Sequence, residues 1–599
     1  GTVPAAWAVL IGIGVLVARQ WWTVRLGARG LVISDFVQGV VAYLFGPLFD
    51  QGNPLGAYSA DLLGSLCGIF AMAMLAWLGT PPWVWLGVAL LPVLILSPRV
   101  RVLIAIAVIL LVGHYSAGDA IFSPYNRIDI KEFAHSQMDR RAGELDLSVN
   151  RDYHQNVLDL SVADPDQGVE SPARGFVRRI YELPYAAATR KGDALVVGAG
   201  TGNDVAAALR SGFERVVSVD IDARIIEIGR DRHPERPYDD PRVEAVVEDA
   251  RAYFERYPDE RFDIVSFGLL DSHAMFSAMS SLRLDNFVYT VEGVRAAYAH
   301  VAPGGLLSIS FSTFAGAWIE QRMAGIVAAA TGSVPILIQH GYNHGTTFLV
   351  GDPVALERAA RDWARFSPGL ASVNPRIRIA TDDWPFLYVR PDTFPTAYLA
   401  ILGLIALSAV LAIRGAFGAD TFKRGRFDPV MFLLGAGFML LQTRLVTQLS
   451  LLFGSTWVVN TFVFGGILTM AMLANLVISR WRSLNVAGPF LCLLLSLLLP
   501  IFADAGFLNQ YPMAVRWTAA AVLYALPVFF AGMIFSTRLA RATSPGAALG
   551  ANLCGAVFGG LLEYLSMILG LRAVAMLALV IYLLAGLYAR RDRRLVPAG

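Results

Sequence analysis

Residues 193–204 read DALVVGAGTGND, and this stretch decides the fold of the central part of the chain. Its first five residues are mostly apolar and predict a short strand. Glycines follow at Gly198, Gly200 and Gly202, and glycine lets a backbone turn tightly and approach a ligand closely. Residues 205–212 (VAAALRSG) then predict a helix, whose N-terminus would face the same ligand. This order of strand, glycine-rich turn and helix predicts an α/β domain with a binding site at the turn.

Three more strands are predicted after the glycine-rich turn. They are residues 215–219 (RVVSV), 240–244 (DPRVE) and 262–267 (FDIVSF). A long loop from 268 to 290 follows the last of them. Alternating strands and helical stretches are typical of an α/β sheet, in which ligands bind outside the carboxyl ends of the strands.

Acidic residues stand where the second and third of these four strands end. Asp220 lies about 20 positions after the glycines, where an acid accepts hydrogen bonds from ribose hydroxyls. Asp249 follows the third strand, where a carboxylate can bind the exocyclic amine of adenine. Their neighbours Ile221 and Ala250, together with Asp204, complete this part of the candidate site. Each acid alone is more often a loop residue or a helix cap, but their order at successive strand ends favours a nucleoside.

The composition of the whole chain is that of a membrane protein. Of its 599 residues, 55% are hydrophobic and 16% are charged, and the mean hydropathy is +0.53, whereas soluble domains are about 25% charged. The net charge of +2 gives no strong field that would favour nucleic acid as a partner. Cys67, Cys492 and Cys554 lie in apolar runs without metal or redox spacing. We therefore expect neither a disulfide framework nor a bound metal.

Apolar segments flank a more polar centre, and a segment of ~20 apolar residues can cross a bilayer. Five are predicted before the centre, at 4–18, 30–48, 60–78, 82–98 and 101–117. Seven are predicted after it, at 396–413, 430–452, 456–478, 485–503, 514–535, 546–567 and 572–588. The predicted regions are transmembrane helices at 1–117, a soluble domain at 118–395 and transmembrane helices at 396–599. The opening Gly-Thr-Val-Pro is not typical of a native start, so we expect further residues ahead of it.

An internal repeat links the two apolar regions. Residues 54–79 and 545–570 share Pro, Ala, Leu and several Gly positions without a gap. Small residues at four-residue spacing let helix backbones approach closely, so one interpretation is two similar packing faces. The other is a pair of duplicated halves, as in many secondary transporters. The sequence favours neither over the other.

Ionisable residues also lie inside the predicted spans, at Asp35, Asp61, Arg444 and Glu563. Such groups are costly in a bilayer and are functional hypotheses by default. Arg444 and Glu563 are interpreted either as part of a transport pathway or as an internal ion pair that fixes the helix bundle.

Several motifs together give the chain a family resemblance. Residues 120–390 resemble the spermidine synthase family, and the whole chain resembles the bacterial membrane proteins described as fused transporter–spermidine synthases. Residues 123–128 (SPYNRI) look like the family's S-x-Y-Q-x-I segment, and 301–305 (VAPGG) match its late strand region. Residues 381–386 (TDDWPF) are similar to the TDD-x-P-[YF] ending of the membrane-fused group, and Gln155 matches the family glutamine near the nucleoside.

This resemblance implies a multi-span α-helical membrane protein with an inserted α/β doubly wound domain of the class I methyltransferase type, preceded by a small β-rich subdomain. It also implies S-adenosylmethionine or its decarboxylated form as co-substrate, and transfer of an aminopropyl group to an amine. The nucleoside would be bound by the residues already named, Gln155 included.

The loop after the fourth strand departs from the family pattern. The family loop D-[ST]-x-D begins with an acid that deprotonates the amine, whereas this chain has Gly268 there and only Asp271 matches the second acid. A glycine cannot accept a proton, so we expect slow or undetectable turnover of putrescine, and Gly268→Asp is expected to restore some activity. Asp271 and His273 are the candidate catalytic residues, although a plain loop role is as plausible for each.

The histidines of the HGYNH stretch, His340 and His344, invite a metal interpretation, but two ligands at this spacing fall short of a metal site. They lie between two strand-like runs, so a hairpin turn is the preferred prediction.

Two arguments about the membrane side of the soluble domain disagree. S-adenosyl nucleosides are made in the cytosol, so we expect the domain there, with the helices in a bacterial inner membrane. Lys and Arg cluster in five regions, at 99–101, 414–426, 480–482, 538–541 and 590–594. With the predicted spans, placing these charges inside puts the domain on the opposite side.

Three functions therefore remain open. The first is an aminopropyl-type transferase, whose partners are the lipid bilayer and a small-molecule amine. The second is a methyltransferase acting on a lipid or small metabolite, which the altered loop favours. The third is a transporter with a nucleoside-sensing domain, which the repeat favours.

Overall fold

A computed structural model of the chain describes residues 53–96, 99–133, 141, 143–161, 172–270, 287–391, 400, 402–408, 427–454, 456–481, 485–502, 508 and 511–591. Its contacts separate two compact units. One is an α/β unit of residues 119–393 with 454–456, and the other is a helical unit that contains the apolar helices on both sides of it in sequence.

Three apolar helices of the helical unit precede the α/β unit in the described sequence. They are α1 (Pro54–Trp77), α2 (Pro82–Leu96) and α3 (Val100–Ala117). α1 begins with a proline, which suits the first position of a helix because its missing N–H would be unpaired there.

The α/β unit starts with a small antiparallel sheet. Its strands pair in chain order: β1 (Ile121–Phe122), β2 (Arg127–Glu132), β3 (Leu145–Val149) and β4 (Asp152–Val157). Inward-facing side chains form its core, and Ile128, Leu147 and Val157 have no exposed surface. This sheet is the β-rich subdomain that the family resemblance implied.

The larger sheet has eight strands and is mixed. Its strands are β5 (Asp193–Val197), β6 (Arg215–Asp220), β7 (Val243–Val247), β8 (Phe262–Phe267), β9 (Val301–Ser312), β10 (Ile336–Ile338), β11 (Gly345–Gly351) and β12 (Gly369–Leu370). Their order is β12-β10-β11-β9-β8-β5-β6-β7. The first five in chain order pair in parallel, and the last three are antiparallel.

Helices connect and cover these strands. They are α4 (Pro172–Ala187), α5 (Asn203–Arg210), α6 (Ala223–Arg232), α7 (Ala250–Arg256), α8 (Val291–Ala299), α9 (Ala317–Thr331) and α10 (Pro353–Asp362). Because helices lie on both faces, the central strand β5 is apolar after its first residue, and Leu195, Val196 and Val197 are fully buried. The predicted methyltransferase-like α/β fold is confirmed.

Three of the four predicted strands begin where the sequence placed them. The exception is the strand predicted at 240–244, which begins later. It was predicted from Asp240 but starts at Val243. The Asp240 carboxylate accepts a hydrogen bond from the Arg242 N–H at 2.9 Å, and Pro241 has no N–H to donate to a ladder. The first three predicted residues therefore form a turn.

The remaining apolar helices follow the α/β unit in sequence. They are α11 (Pro429–Phe453), α12 (Trp457–Arg480), α13 (Ala487–Phe502), α14 (Met513–Arg541), α15 (Pro545–Glu563), the single turn α16 (Ser566–Leu569) and α17 (Leu571–Arg591). Among the described residues, seven helical segments are long and apolar enough to cross a membrane. These helices fit a multi-pass membrane protein.

Not every predicted span can be compared with the structure. The predicted spans 4–18 and 30–48 lie outside the described residues, and so does most of 396–413. The span predicted at 82–98 corresponds to a helix of 15 residues, Pro82–Leu96, which is shorter than the seven long ones.

The two copies of the repeat differ in their packing. In α15, a Cβ on Gly555 would lie 1.8 Å from the Phe432 carbonyl oxygen, and one on Gly559 would lie 2.4 Å from that of Ala436. The small residues of this copy thus allow close backbone approach, as one interpretation of the repeat requires. The equivalent Gly64 of α1 has no described atom within 4 Å of its Cβ position.

The helical unit contains buried polar and charged residues. Arg444 is buried on α11, and an ion pair that the sequence did not suggest joins Arg538 to Asp428 at 2.8 Å. Asp35 lies outside the described residues. For Arg444 and Glu563, the choice between a transport pathway and an internal ion pair stays a prediction.

Candidate functional site

The glycine-rich turn joins β5 to α5 in a backbone conformation that needs glycine. Gly198, Gly200 and Gly202 have φ values of +68°, +55° and +108°, a region that side chains with a Cβ rarely adopt. The Tyr238 hydroxyl donates to the Gly200 carbonyl at 2.7 Å and so fixes the middle of the turn. The glycine spacing identified in the sequence therefore has a direct conformational cause.

Asp220 lies at the end of β6 and faces this turn. Its carboxylate accepts the backbone N–H of Gly200 at 2.8 Å and that of Asp222 at 2.9 Å. Burial raises its pKa to about 6, and the two backbone donors act in the opposite direction. A carboxylate anchored in this way has a fixed position, which suits recognition of neighbouring hydroxyls.

Gln155 reaches the same turn from β4 of the small sheet. Its side-chain oxygen accepts the Thr201 N–H at 3.2 Å and the Thr201 hydroxyl at 2.9 Å. The family resemblance implied that this glutamine lies near the nucleoside, and the structure brings it onto the glycine turn.

A cleft opens beside the turn, with a volume of about 700 Å³ when the part open to solvent is included. The cleft is lined by Tyr153, His154, Gln155, Tyr181, Gly198, Gly200, Asp204, Asp220, Leu269, Leu270, Ser312 and Asn343. The structure thus brings five of the predicted binding residues together.

Four other predicted residues do not line this cleft, namely Gly202, Ile221, Asp249 and Ala250. Asp249 is 7% exposed and caps α7, because its carboxylate accepts the Ala252 N–H at 3.1 Å. It does follow β7, as the sequence indicated, but its assignment to adenine stays a prediction.

Asp204 occupies the first turn of α5 and lines the cleft. Among the described residues, no hydrogen bond reaches its carboxylate, and burial raises its pKa to about 7. Arg210 opposes this shift, but that guanidinium is already paired with Glu182 at 2.8 Å and with Glu235. The cleft therefore holds two carboxylates in different environments.

The loop after β8 contributes only its first residues to the described structure. Asp271, His273, Arg283 and Asp285 lie outside the described residues, so the two candidate catalytic residues stay untested. Gly268 is described, and a Cβ placed on it would lie 2.7 Å from Oδ2 of Asp204. The Asp204 carboxylate thus occupies the space that a side chain at position 268 would need.

Two motifs noted for their resemblance have a structural role. The Ser123 hydroxyl donates to Asp222 at 2.6 Å, and the Asn126 amide donates to the same carboxylate at 3.2 Å. This ties the SPYNRI segment to the turn after β6. Asp222 also accepts the Arg224 N–H at 3.0 Å and caps α6.

The TDDWPF segment is tied to α7 and to the start of α8. Asp382 receives two hydrogen bonds of 3.1 Å from Arg251 and one of 2.6 Å from the Thr290 hydroxyl. Thr290 in turn caps α8 through the Gly293 N–H at 3.1 Å. The motif therefore fixes the described residues that follow the long loop.

The HGYNH stretch forms a turn between the antiparallel strands β10 and β11, as predicted. His340 is buried, which lowers its pKa to about 4, and no group of three or more possible metal ligands occurs within the described ranges. The same turn brings Asn343 to the cleft, where its amide lies 3.5 Å from the Tyr153 hydroxyl.

Sequence reasoning missed most of the cleft's aromatic and apolar lining. Tyr153 and His154 stand directly before Gln155, so their position beside the site could have been inferred. Tyr181 on α4 and Asn343 come from distant parts of the sequence and gave no local signal.

The α/β unit has a methyltransferase-like fold, with its cleft at the glycine-rich turn. A family model described as a methyltransferase domain matches residues 194–283. Within this class the domain is spermidine synthase-like, since two curated proteins that it matches are named polyamine aminopropyltransferases.

Two curated relatives and two solved structures illustrate the similarity. Polyamine aminopropyltransferase 2 of Pseudomonas aeruginosa is 29% identical over 151 residues, which cover 24% of this chain and 40% of that protein. Polyamine aminopropyltransferase of Pyrobaculum neutrophilum is 34% identical over 88 residues, which cover 14% of this chain and 30% of that protein. The chain thus spans less than half the length of either relative.

Among solved structures, the spermidine synthase of Thermotoga maritima has a TM-score of 0.31 and 15% identity, covering 48% of this chain and 87% of that chain. A probable spermidine synthase from Corynebacterium glutamicum has a TM-score of 0.32 and 14% identity, covering 45% and 96%.

Proposed function

We propose that this protein is a membrane-embedded transferase that uses S-adenosylmethionine or its decarboxylated form as co-substrate and moves an alkyl group, of the aminopropyl type, to an amine. The observation that carries the proposal is the cleft at the carboxyl ends of β5 and β6. There the glycine turn allows the backbone to approach a nucleoside closely, and the anchored Asp220 offers it a charged acceptor.

The helical unit and the ligand supply extend this proposal to location. Seven long apolar helices favour a multi-pass protein, and we place it in a bacterial inner membrane with the α/β unit in the cytosol, where S-adenosyl nucleosides are made. Lipid and a small amine are its proposed partners.

A second candidate is methyl transfer to an apolar acceptor, such as a lipid or small metabolite. Leu269 and Leu270 line the cleft directly after Gly268 and favour an apolar group over a second charge.

Product analysis tests both candidates. The purified full chain is incubated with each donor and a panel of acceptors, and the nucleoside product is identified by mass spectrometry. Methylthioadenosine together with an alkylated acceptor supports aminopropyl transfer, whereas adenosylhomocysteine supports methyl transfer. A chain that binds neither donor and releases neither product would refute both.

A further inference from the structure

Two carboxylates face the cleft, and only one of them is anchored. Asp220 accepts two backbone N–H groups, from Gly200 and Asp222. Asp204 accepts no hydrogen bond from any described residue, although it lines the same cleft. Paired titratable groups in different environments commonly divide the work of binding and proton transfer.

Asp204 occupies the space that a side chain at position 268 would need. Position 268 has no side chain, and a Cβ there would lie 2.7 Å from Oδ2 of Asp204 and 3.2 Å from its Cγ. The glycine that the sequence marks as the loss of an acid therefore leaves room for a carboxylate supplied by α5.

The groups around Asp204 do little to neutralise the negative charge of its carboxylate. Tyr181 and Tyr185 on α4 and Tyr238 after α6 interact with it electrostatically, and all three are uncharged near neutral pH. Arg210 on α5 is the cation that acts on it, and it is shared with two glutamates. A general base works best when its pKa lies near the working pH, and burial raises the pKa of Asp204 to about 7.

We propose that Asp204 is the catalytic proton acceptor of the transferase, in place of an acid on the loop after β8; this rests on the proposed function. The nucleophile's electron pair forms a bond to the carbon next to the donor sulfur. The carbon–sulfur bond breaks, its electron pair returns to sulfur, and the sulfonium becomes a neutral thioether. The proton lost by the nucleophile passes to the Asp204 carboxylate.

The test compares Asp204→Asn with Asp204→Glu and with Asp231→Asn, an exposed carboxylate on α6 that serves as the matched control. For each full-chain variant, turnover of the accepted donor is measured from pH 5.5 to 9, and methylthioadenosine affinity is measured by calorimetry. The affinity measurement separates a lost base from a lost fold.

In Asp204→Asn we expect kcat to fall by about 10²- to 10⁴-fold, with methylthioadenosine affinity changed less than about threefold. The acid limb of the pH profile, with its midpoint near the Asp204 pKa of about 7, should disappear. Asp204→Glu should keep part of the turnover and the limb, and Asp231→Asn should match the parent.

Two results would overturn the assignment in distinguishable ways. If the parent is active and Asp204→Asn keeps both its turnover and its acid limb, Asp204 is not the base and the proposed function stands. If the parent yields no product from either donor and does not bind methylthioadenosine, the proposed function and the assignment fall together.

Discussion

The two sides of the cleft differ in how their residues are held in place. On the nucleoside side, the glycine turn and Asp220 are fixed by backbone hydrogen bonds, and Gln155 adds two more to Thr201. On the side of the loop after β8, Gly268, Leu269 and Leu270 have no polar side chain, and Asp204, which lies beside Gly268, is held by no hydrogen bond among the described residues. Under the proposed function, we therefore expect a preorganised donor site, with the chemistry and the choice of acceptor depending on a few unanchored side chains.

The largest expected effect concerns position 268. Gly268→Asp should lower turnover rather than restore it, because its Cβ would lie 2.7 Å from Oδ2 of Asp204 and add a second carboxylate beside it. A displacement of about 1 Å at a reacting group can cost roughly 100-fold in rate. Initial-rate measurements on the full chain test this, with Gly268→Ala as the control for the steric part. Higher turnover in Gly268→Asp would return the base to the loop and break the comparison.

On the nucleoside side, Asp220→Ala should weaken methylthioadenosine binding by about 2 kcal/mol, roughly 30-fold, because a buried hydrogen-bonding network loses its charged acceptor. Asp249→Ala is the matched comparison and should cost less, since Asp249 caps α7 and lies outside the cleft lining. Calorimetric titration gives both values. Unchanged affinity in Asp220→Ala would remove this residue from the donor site.

The apolar residues at the start of the loop after β8 should also determine which acceptor amines are preferred. Leu269 and Leu270 line the cleft where a second ammonium group of putrescine would have to be desolvated. A monoamine with an apolar tail, such as n-hexylamine, should therefore exceed putrescine in kcat/KM by about 10- to 100-fold. Leu270→Asp should narrow this ratio, with Leu370→Asp on exposed β12 as the control. Equal use of both amines by the parent would show that the apolar lining does not select the acceptor.

Local sequence patterns predicted the features of this protein that are determined by residues close together in the sequence. The strand, glycine turn and helix at 193–210 and the acid at Asp220 follow from backbone geometry and apolar runs, and the structure has them at those positions. The HGYNH turn was predicted for the same reason. The cleft's other wall was not foreseen, because Tyr181 and Asn343 come together only through tertiary packing.

The role of Asp204 shows the same limit. The sequence associates this acid with the glycines. Its position beside Gly268 could not be predicted, because the two residues are 64 positions apart in the chain. The TDDWPF motif was recognised only by resemblance, and its physical reason, the pairing of Asp382 with Arg251 and Thr290, also depends on distant partners.

The smallest expected effect is on thermal stability, where substitutions of Asp204 and Asp220 should change Tm by different amounts. Burial raises the pKa of Asp204 in the folded protein to about 7, above its ordinary value of 3.8. Between these values the folded state holds more protons than the unfolded state, so this group's stabilising contribution is full below about pH 4 and is lost as the pH rises through 7. Asp204→Asn should therefore raise Tm by about 2–4 °C at pH 8 and by less at pH 5.

Asp220→Asn should gain less at pH 8, although burial also raises the Asp220 pKa to about 6, because the amide loses the charged acceptor for two backbone N–H groups. Thermal unfolding of the purified full chain at both pH values measures the difference, with Asp231→Asn as the exposed reference. Equal Tm changes for Asp204→Asn at pH 5 and pH 8 would mean that the charge of Asp204 is not what costs stability. The anchored and unanchored carboxylates would then differ in geometry alone.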